Sequence, residues 1–370
     1  MRAAGKAILF LAILSMAACI AGVRDGSDAT QIPLEVARPT ASPTPLPTIE
    51  IPHFEFFDEY PIIKRGAGWD SAAIFPGDVF VHDGILHMFY TGSAGQGKDS
   101  SLDTTGYAIS VDGIEWHRTS DDPIEFEGET GNILGTSFIG SVYQEPDGTW
   151  VMFISCWVEG EGMITGMCQA SAQEPAGPWT IDDHPVLLTG PNDAWDGSYI
   201  FATDVIKTEQ GYYMYYSGIY GGNRRGIPWQ QIGLATSQDG VTWIKYNDPD
   251  TNEAEYAESD PVFSTGEEDE WASNGVYFPA VMHTTDGWVM IFVGAGVVGN
   301  GMNEKIGIAT SEDGIHWAQY EGNPVFSPVS VVANTFIYSV EWVMHDGRQL
   351  LYFALMDGSY TAEIYLAISE

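Results

Sequence analysis

One motif recurs along the chain and constrains its fold more than any other feature. It reads Ser-x-Asp-Gly-x-x-Trp and occurs at residues 110–116, 237–243 and 311–317, with a degenerate copy at 171–179. Two strand-like segments precede each copy, and a Pro-Val or Pro-Ile step follows it. Such repetition predicts a chain built from copies of one supersecondary unit.

Each unit reads as strand A, a turn, strand B, a loop, strand C, an Asp-Gly turn and strand D. A fifth unit begins near Phe336 and lacks a strand D, which we expect the segment from Phe54 to Phe57 to supply. Four-stranded blades repeated around an axis form a β-propeller, and closing the ring leaves no free sheet edge. The sequence therefore predicts an all-β, five-bladed β-propeller of four-stranded antiparallel blades over residues 51–370, with the ring closed by the N-terminal strand.

The first 50 residues lack this pattern. Residues 1–18 combine Arg2 and Lys6 with an apolar run and then small residues, which is typical of a signal peptide. Cys19 follows at the cleavage site, as in bacterial lipoproteins, so we expect it to carry a lipid anchor. Ordinary cleavage after Ala18 is the alternative. Residues 19–50 then form a Pro/Thr-rich tether, and the protein is predicted to be exported and anchored at the cell surface or outer membrane.

The composition limits the partners of the chain. The formal net charge of −37 disfavours nucleic acids and anionic polymers, because their charged groups would be repelled. A neutral oligo- or polysaccharide is compatible with this charge. We expect a monomer that contacts membranes only through Cys19. No cofactor is predicted, and a divalent ion on the propeller axis is left open.

Two cysteines remain in the globular part, Cys156 and Cys168, on consecutive predicted strands. An exported protein permits a disulfide between them, and two buried free thiols are the alternative. The sequence leaves both open because it does not fix the register of the two strands.

Acidic residues near the start of the inner strands are the candidates for chemistry. Two units share a Trp-Asp dipeptide followed at one fixed spacing by a second aspartate; these are Trp69-Asp70 with Asp78, and Trp195-Asp196 with Asp204. The fourth unit keeps Trp271 but has alanine at both acid positions. Glu341 lies on the inner strand of the fifth unit.

Cleavage of a glycosidic bond takes one carboxyl group as proton donor and a second as nucleophile or base. This chemistry makes Asp70, Asp78 and Asp204 the catalytic candidates. The residues expected to contact the substrate are Trp69, Trp195, Asp196, Trp271 and Glu341. Structural roles compete with this interpretation: an inner-strand aspartate can bind backbone N–H groups of the next blade, and equivalent tryptophans can pack between blades. For Glu341, two roles are open: a paired residue in the channel and a catalytic residue.

The chain resembles the five-bladed glycoside hydrolases of the arabinanase, levansucrase and invertase superfamily (families 43, 32 and 68, with relatives such as family 130). The resemblance rests on Trp-Asp-Ser at 69–71, the inner strand that follows, Met-Phe-Tyr-Thr-Gly at 88–92 and the repeated motif. The resemblance covers nearly all of residues 51–370. It implies a catalytic aspartate at the start of the first inner strand, an auxiliary aspartate on the second and a general-acid glutamate on the third. The levansucrase type matches Asp70, whereas the family-43 aspartate would fall nearer Pro76.

The chain departs from that pattern, with Ser141 on the second inner strand and Asp204 where a glutamate is implied. Two functions therefore stay open. The first is a glycoside hydrolase that cleaves a neutral or furanose-rich glycan with channel carboxylates. The second is a non-catalytic glycan-binding propeller. The sugar, the linkage and the stereochemistry are not legible in the sequence.

Overall fold

The computed structural model describes residues 51–58, 60–95, 104–127, 133–160, 162–220, 229–264, 271–284, 287–298, 301–328 and 335–369. This part of the chain is all-β, with a 3₁₀ helix at Ala254–Tyr256 and no α-helix. None of its helical segments has the length and apolar character needed to cross a membrane. The predictions for residues 1–50, including Cys19, lie outside the described residues.

The strands in chain order are β1 (Glu55–Phe56), β2 (Ala73–His82), β3 (Ile85–Ser93), β4 (Thr104–Ser110), β5 (His117–Arg118), β6 (Phe126–Glu127), β7 (Ile133–Gln144), β8 (Trp150–Gly160), β9 (Gly162–Ala172), β10 (Trp179–Ile181), β11 (Leu187–Leu188), β12 (Tyr199–Thr208), β13 (Gly211–Ile219), β14 (Gln230–Ser237), β15 (Ile244–Lys245), β16 (Pro261–Phe263), β17 (Gly275–Thr284), β18 (Gly287–Val298), β19 (Gly301–Ser311), β20 (Ala318–Gln319), β21 (Thr335–His345), β22 (Arg348–Asp357) and β23 (Ala362–Ser369).

Hydrogen bonding groups these strands into five antiparallel units of four. In the order A to D, the units are β2-β3-β4-β5, β7-β8-β9-β10, β12-β13-β14-β15, β17-β18-β19-β20 and β21-β22-β23-β1. In the fifth unit, Glu55 of β1 lies opposite Ile368 of β23. The N-terminal segment therefore supplies strand D of that unit, as predicted.

The five A strands contact one another in cyclic order, β2 with β7, β7 with β12, β12 with β17, β17 with β21, and β21 with β2. They surround a common axis, which we call the central channel, and we call them the inner strands. The channel end at which the inner strands begin is the entry end. The end at which they turn into the B strands is the turn end.

The repeated motif forms a self-contained turn. In the copy at 110–116, the Ser110 hydroxyl oxygen accepts the Gly113 N–H at 2.9 Å, and Asp112 Oδ1 accepts the Ile114 N–H at 2.8 Å. The indole N–H of Trp116 donates to the Gly113 carbonyl at 3.1 Å. The copies at 237–243 and 311–317 repeat these bonds. The motif aspartates are turn residues, as the sequence predicts.

The tryptophan that ends each motif joins its unit to the preceding one. Its ring meets an aromatic ring on the B strand of that unit nearly edge-on, with centroids 5.5–5.9 Å apart and interplanar angles of 83–89°. The pairs are Trp116 with Tyr352, Trp179 with Phe89, Trp243 with Phe153, and Trp317 with Tyr215. This geometry is favourable for aromatic rings because the positive edge of one faces the negative face of the other.

A disulfide joins two strands of the second unit. Cys156 on β8 and Cys168 on β9 have Cα atoms 5.7 Å apart and are covalently linked. In the register of these strands, Ile154 lies opposite Cys168. Of the two alternatives that the sequence left open, the structure contains the disulfide.

The closure of the fifth unit by β1 generates a prediction. Phe54 is buried, and the Phe56 ring packs against the rings of Phe353 and Tyr365 at 5.6 and 6.0 Å. Deleting residues 19–57 should lower the free energy of unfolding by roughly 3–6 kcal/mol, because two phenylalanine side chains lose their burial and β23 gains a free edge. Urea denaturation measures this change. The control deletes residues 19–50 only and should unfold like the full chain; equal stability of both deletions would contradict the prediction.

Candidate functional site

Five aromatic side chains close the entry end of the central channel. Each inner strand contributes one, and neighbouring ring centroids lie 4.6–6.3 Å apart in a closed cycle. The five residues are Phe75, Phe138, Phe201, Phe278 and Tyr338, which we call the aromatic plug. A further contact joins Phe138 to Tyr338 across the cycle at 5.5 Å. Rings in mutual contact leave no passage along the axis for a sugar ring.

The aromatic plug lies on the entry side of Ser141 and Asp204, the positions at which the resemblance implies acids on the second and third inner strands. The first three inner strands contribute Phe75, Phe138 and Phe201 to the plug, and all three side chains are buried. Pro76, near which the family-43 aspartate would fall, follows directly and is also buried.

Three carboxyl groups lie deeper in the channel. Asp78, Asp204 and Glu341 each stand three residues beyond the plug residue of their own inner strand, which places them roughly 7–10 Å farther from the entry end. Each is half-buried. We call these three residues the channel carboxyls. The structure thus brings together three of the residues that the sequence singled out.

Burial and mutual repulsion raise the pKa values of the channel carboxyls. Loss of water contact raises the pKa of Asp204 to about 6, although hydrogen bonds to the carboxylate oppose the rise. Desolvation raises the pKa of Asp78 well above its usual range, with repulsion by Asp204 adding to it. Desolvation also raises the pKa of Glu341, together with repulsion by Asp78 and Asp204. At neutral pH the group can therefore retain protons.

Two of the channel carboxyls, Asp78 and Asp204, also connect neighbouring inner strands. A side-chain oxygen at one position accepts a backbone N–H from the next unit, and these bonds run from Val142 to Asp78, from Val205 to Ser141 at 2.6 Å and from Val281 to Asp204 at 2.5 Å. The Ser141 hydroxyl in turn donates to Asp204 Oδ1 at 3.1 Å. Asp78 and Asp204 thus bind backbone N–H groups of the next unit, which is the structural role that the sequence left open for them. Ser141 makes the same contact with an uncharged side chain.

Asp70 lies in a different environment. It is buried, and Arg118 of β5 donates to its Oδ2 at 2.9 Å. Arg118 also donates to the hydroxyl of Tyr90 at 2.9 Å, and the Trp69 ring stacks on the Tyr90 ring at 5.8 Å. The carboxylate therefore belongs to a packed ion pair within the first unit, which favours a structural role over that of a nucleophile.

The third unit repeats this arrangement with a lysine. Lys245 of β15 donates to Asp196 Oδ2 at 2.5 Å, and the Tyr216 hydroxyl donates to the same oxygen at 3.1 Å. The Trp195 ring stacks on Tyr216 at 5.8 Å. A side chain on Gly218 would collide with this assembly, since a Cβ there would lie 2.4 Å from the Trp195 ring. Trp195 has no exposed surface, so no sugar can stack on it.

The fourth unit lacks all three polar members of this assembly at once. Ala272 stands in place of the aspartate, Phe292 in place of the tyrosine and Gln319 in place of the cation. Trp271 remains and packs on Phe292 at 5.8 Å. The joint replacement indicates that the aspartate, the cation and the tyrosine form one structural module. Trp69, Trp195 and Trp271 share the packing role within it.

The sequence interpretation missed two features. Glu304 on β19 is buried and accepts the Tyr277 hydroxyl at 2.5 Å and the Ile337 N–H at 2.6 Å, and burial raises its pKa to about 7. Trp157 and Tyr199 meet edge-on at the entry end, with centroids 6.5 Å apart. No repeat marks these residues, so pattern analysis had no signal for them. Across the described residues, no cluster of three His, Cys, Asp or Glu side chains is placed to hold a metal ion.

No protein-family model matches the chain, and no curated protein matches it. Several solved structures share its fold. One is described as belonging to the GH130 family of mannoside phosphorylases, which contains glycoside hydrolases that target β-1,2 mannosidic linkages in Candida mannan; it is 19% identical, with a TM-score of 0.64 over 87% of this chain and 95% of that one.

Two further structures show the same similarity. A glycosyl hydrolase from Bacteroides ovatus is 17% identical, with a TM-score of 0.62 over 88% of this chain and 95% of that one. A GH32 β-fructofuranosidase from Bombyx mori is 13% identical, with a TM-score of 0.55 over 86% of this chain and 62% of that one. At these identities the comparison establishes a shared fold.

The ion-pair module generates a prediction about Asp196. Asp196→Asn should lower the free energy of unfolding by about 3–5 kcal/mol, because the Lys245 ammonium would remain largely buried without its counter-charge. The matched control copies the fourth unit with Asp196→Ala, Tyr216→Phe and Lys245→Gln together, and should recover much of that loss. Thermal and urea unfolding measure both variants. Unchanged stability of Asp196→Asn would contradict a structural role.

The raised pKa values predict a pH dependence of stability. A carboxyl whose pKa is higher in the folded than in the unfolded state stabilises the fold at pH values below the unfolded pKa, and this contribution is lost as the pH rises through the folded pKa. Glu341→Gln should therefore stabilise the protein at pH 8 and leave it unchanged near pH 4. The control, Glu115→Gln at an exposed site, should have no effect. Equal stability of Glu341→Gln and the parent chain at pH 8 would refute this.

Proposed function

We propose that this chain is a five-bladed β-propeller that binds a neutral glycan at its entry end without cleaving it. Cyclic contacts among the five inner strands and the pairing of β1 with β23 support the five-bladed assignment. The fold shared with glycoside hydrolases supports a carbohydrate ligand. The net charge of −37 favours a neutral glycan, because an anionic one would be repelled.

The aromatic plug is the observation that favours binding over cleavage. A glycosidase needs two carboxyl groups within reach of one glycosidic bond. Here the five rings lie between the entry end and the channel carboxyls, so a glycan arriving at the entry end contacts aromatic side chains instead. The other two aspartates, Asp70 and Asp196, are engaged by Arg118 and Lys245.

Three aromatic residues at the entry end form the proposed binding surface, which we call the entry platform. Trp157 lies near the end of β8, Tyr199 begins β12, and Trp229 directly precedes β14. Each is half-buried, so each ring keeps surface for a ligand. Large, rigid aromatic faces provide contact area for the apolar faces of sugar rings at little cost in conformational entropy.

A second candidate function is a glycoside hydrolase that uses the channel carboxyls. Their raised pKa values favour it, because a proton donor must stay protonated near neutral pH and Asp204 has a pKa of about 6. In this scheme Glu341 or Asp204 donates the proton and Asp78 acts as nucleophile or base. It requires the substrate to reach these groups past the aromatic plug or from the turn end.

Affinity electrophoresis of the purified protein in gels containing arabinan, levan or β-mannan tests the two functions, together with reducing-sugar release from the same polymers. We expect at least one polymer to retard the protein without releasing sugar. Trp157→Ala and Trp229→Ala should each weaken retardation about tenfold, which corresponds to about 1.4 kcal/mol of binding free energy. Asp78→Asn and Asp204→Asn should leave retardation unchanged.

Sugar release that is abolished by Asp78→Asn or Asp204→Asn would overturn the binding proposal in favour of the hydrolase. Migration unaffected by all three polymers, without sugar release, would contradict both functions.

Export and lipid anchoring at Cys19 are part of the proposal. Cys19→Ala should move the protein from the membrane fraction to the medium, and unchanged fractionation would exclude the anchor.

A further inference from the structure

Glu304 connects the fourth and fifth units at the level of the aromatic plug. It lies on β19, is 5% exposed, and uses its two carboxyl oxygens to contact two different inner strands. The Tyr277 hydroxyl of β17 donates to Oε1 at 2.5 Å, and the Ile337 N–H of β21 donates to Oε2 at 2.6 Å. Each donor residue directly precedes a plug residue, Phe278 and Tyr338 respectively. The Glu304 side chain therefore joins the two strands that carry this part of the plug.

Comparable bonds at two other unit boundaries use hydroxyl acceptors. Thr91 of the first unit accepts the Ile139 N–H at 3.3 Å, and Ser217 of the third unit accepts the Phe278 N–H at 2.9 Å. Each of these N–H groups belongs to a plug residue or to its neighbour in sequence. A hydroxyl group stays neutral near neutral pH, whereas a carboxyl group becomes charged when it loses its proton. Of these three bonds, the one to Glu304 is therefore the one that responds to pH.

The surroundings of Glu304 disfavour its charged form. Burial raises the pKa of its carboxyl group to about 7, although the two hydrogen bonds that it accepts oppose the rise. Within the described residues no cation contributes to this pKa. When the carboxyl group loses its proton, a negative charge is therefore buried without a counter-charge, which is unfavourable in a medium of low polarity.

Tyrosines are the titratable groups that face Glu304 from the neighbouring strands. Tyr277 on β17 contacts it directly, and Tyr338 on β21 lies beside Tyr277. Strand β18 carries no titratable residue. Glu341 lies deeper on β21 and repels Asp78. The remaining titratable residues of β17, β19 and β21 are His283 and His345, near the turn end of their strands, and Lys305, which follows Glu304 and points to the opposite face of β19.

We propose that Glu304 is a pH-sensitive clamp on the aromatic plug. The protonated side chain keeps the rings of Phe278 and Tyr338 in contact, with centroids 5.9 Å apart. When the carboxyl group gives its proton to solvent, the buried charge is stabilised by water that enters where the fourth and fifth units meet. The plug then opens between these two rings, and the channel carboxyls become accessible from the entry end. The clamp does not depend on whether the entry end binds a glycan.

Backbone hydrogen exchange of the full-length protein, measured by NMR and expressed as protection factors, tests the clamp. Protection of the Ile337 N–H should fall at least tenfold from pH 5 to pH 8, because the open form gains stability as the pH rises from the ordinary glutamate pKa to the raised one. Glu304→Gln keeps an acceptor for this N–H without a charge and should abolish the fall. The Phe278 N–H, bonded to Ser217, should respond alike in both proteins.

Tyr277→Phe is a second variant. It removes a hydrogen bond that lowers the pKa of Glu304, so the pH at which Ile337 protection stops falling should move upward. A neutral gadolinium chelate added to the same samples reports on the plug itself. It should broaden the signals of the buried Phe278 ring at pH 8 but not at pH 5, and at neither pH in Glu304→Gln.

Unchanged Ile337 protection between pH 5 and pH 8 would overturn the proposal, and so would an equal fall in Glu304→Gln. A pH profile of Tyr277→Phe identical to that of the parent chain would also overturn it, whether or not Glu304→Gln folds. Loss of protection without broadening of the Phe278 signals would show that the clamp does not control the plug. No measurement uses a glycan, so failure of the clamp is distinguishable from failure of the proposed binding function.

Discussion

The edge-on contact between the motif tryptophan of one unit and a B-strand aromatic of the preceding unit is the interaction on which the rest of the structure depends. It occurs at four successive boundaries with nearly the same geometry. At three of these boundaries the tryptophan follows an Asp-Gly turn that is closed by its own hydrogen bonds, so the ring projects at a fixed angle. Because the angle between neighbouring units is repeated, the inner strands surround one axis and form the central channel. Their side chains are thereby brought together along that axis.

The central channel then divides into two chemical zones. At the entry end the inner strands contribute the aromatic plug, and deeper in they contribute the channel carboxyls. Phe278 and Ser339 have positive φ values of 52° and 82° there, a conformation that costs about 1–3 kcal/mol and persists only when the surroundings enforce it. Ser217 accepts the Phe278 N–H at 2.9 Å, and the Ser339 hydroxyl donates to the Pro76 carbonyl at 2.6 Å. These bonds between units hold the plug residues in place.

Repetition explains how much could be predicted from the sequence. The units, their strand order, the turn role of the motif aspartates and the pairing of β1 with β23 all follow from patterns that recur along the chain. The clustering of Asp78, Asp204 and Glu341 followed from their common position on inner strands. The ion pairs of Asp70 and Asp196 could not be predicted from such a position, because their partners Arg118 and Lys245 lie 48 and 49 residues away in sequence. The loss of aspartate, tyrosine and cation together in the fourth unit was the signal available for that module. The aromatic plug could not be predicted either, because a single aromatic residue on an apolar strand has the same sequence pattern as an ordinary core residue.

In the proposed function, the aromatic plug separates the glycan from the channel carboxyls. A crystal structure of the protein soaked with an oligosaccharide prepared from a polymer that retards it tests this most directly. We expect sugar density against Trp157, Tyr199 or Trp229, with every sugar atom beyond hydrogen-bond distance of the channel carboxyls. A glycosidic oxygen found between those three carboxyl groups, with the plug rings displaced, would contradict it.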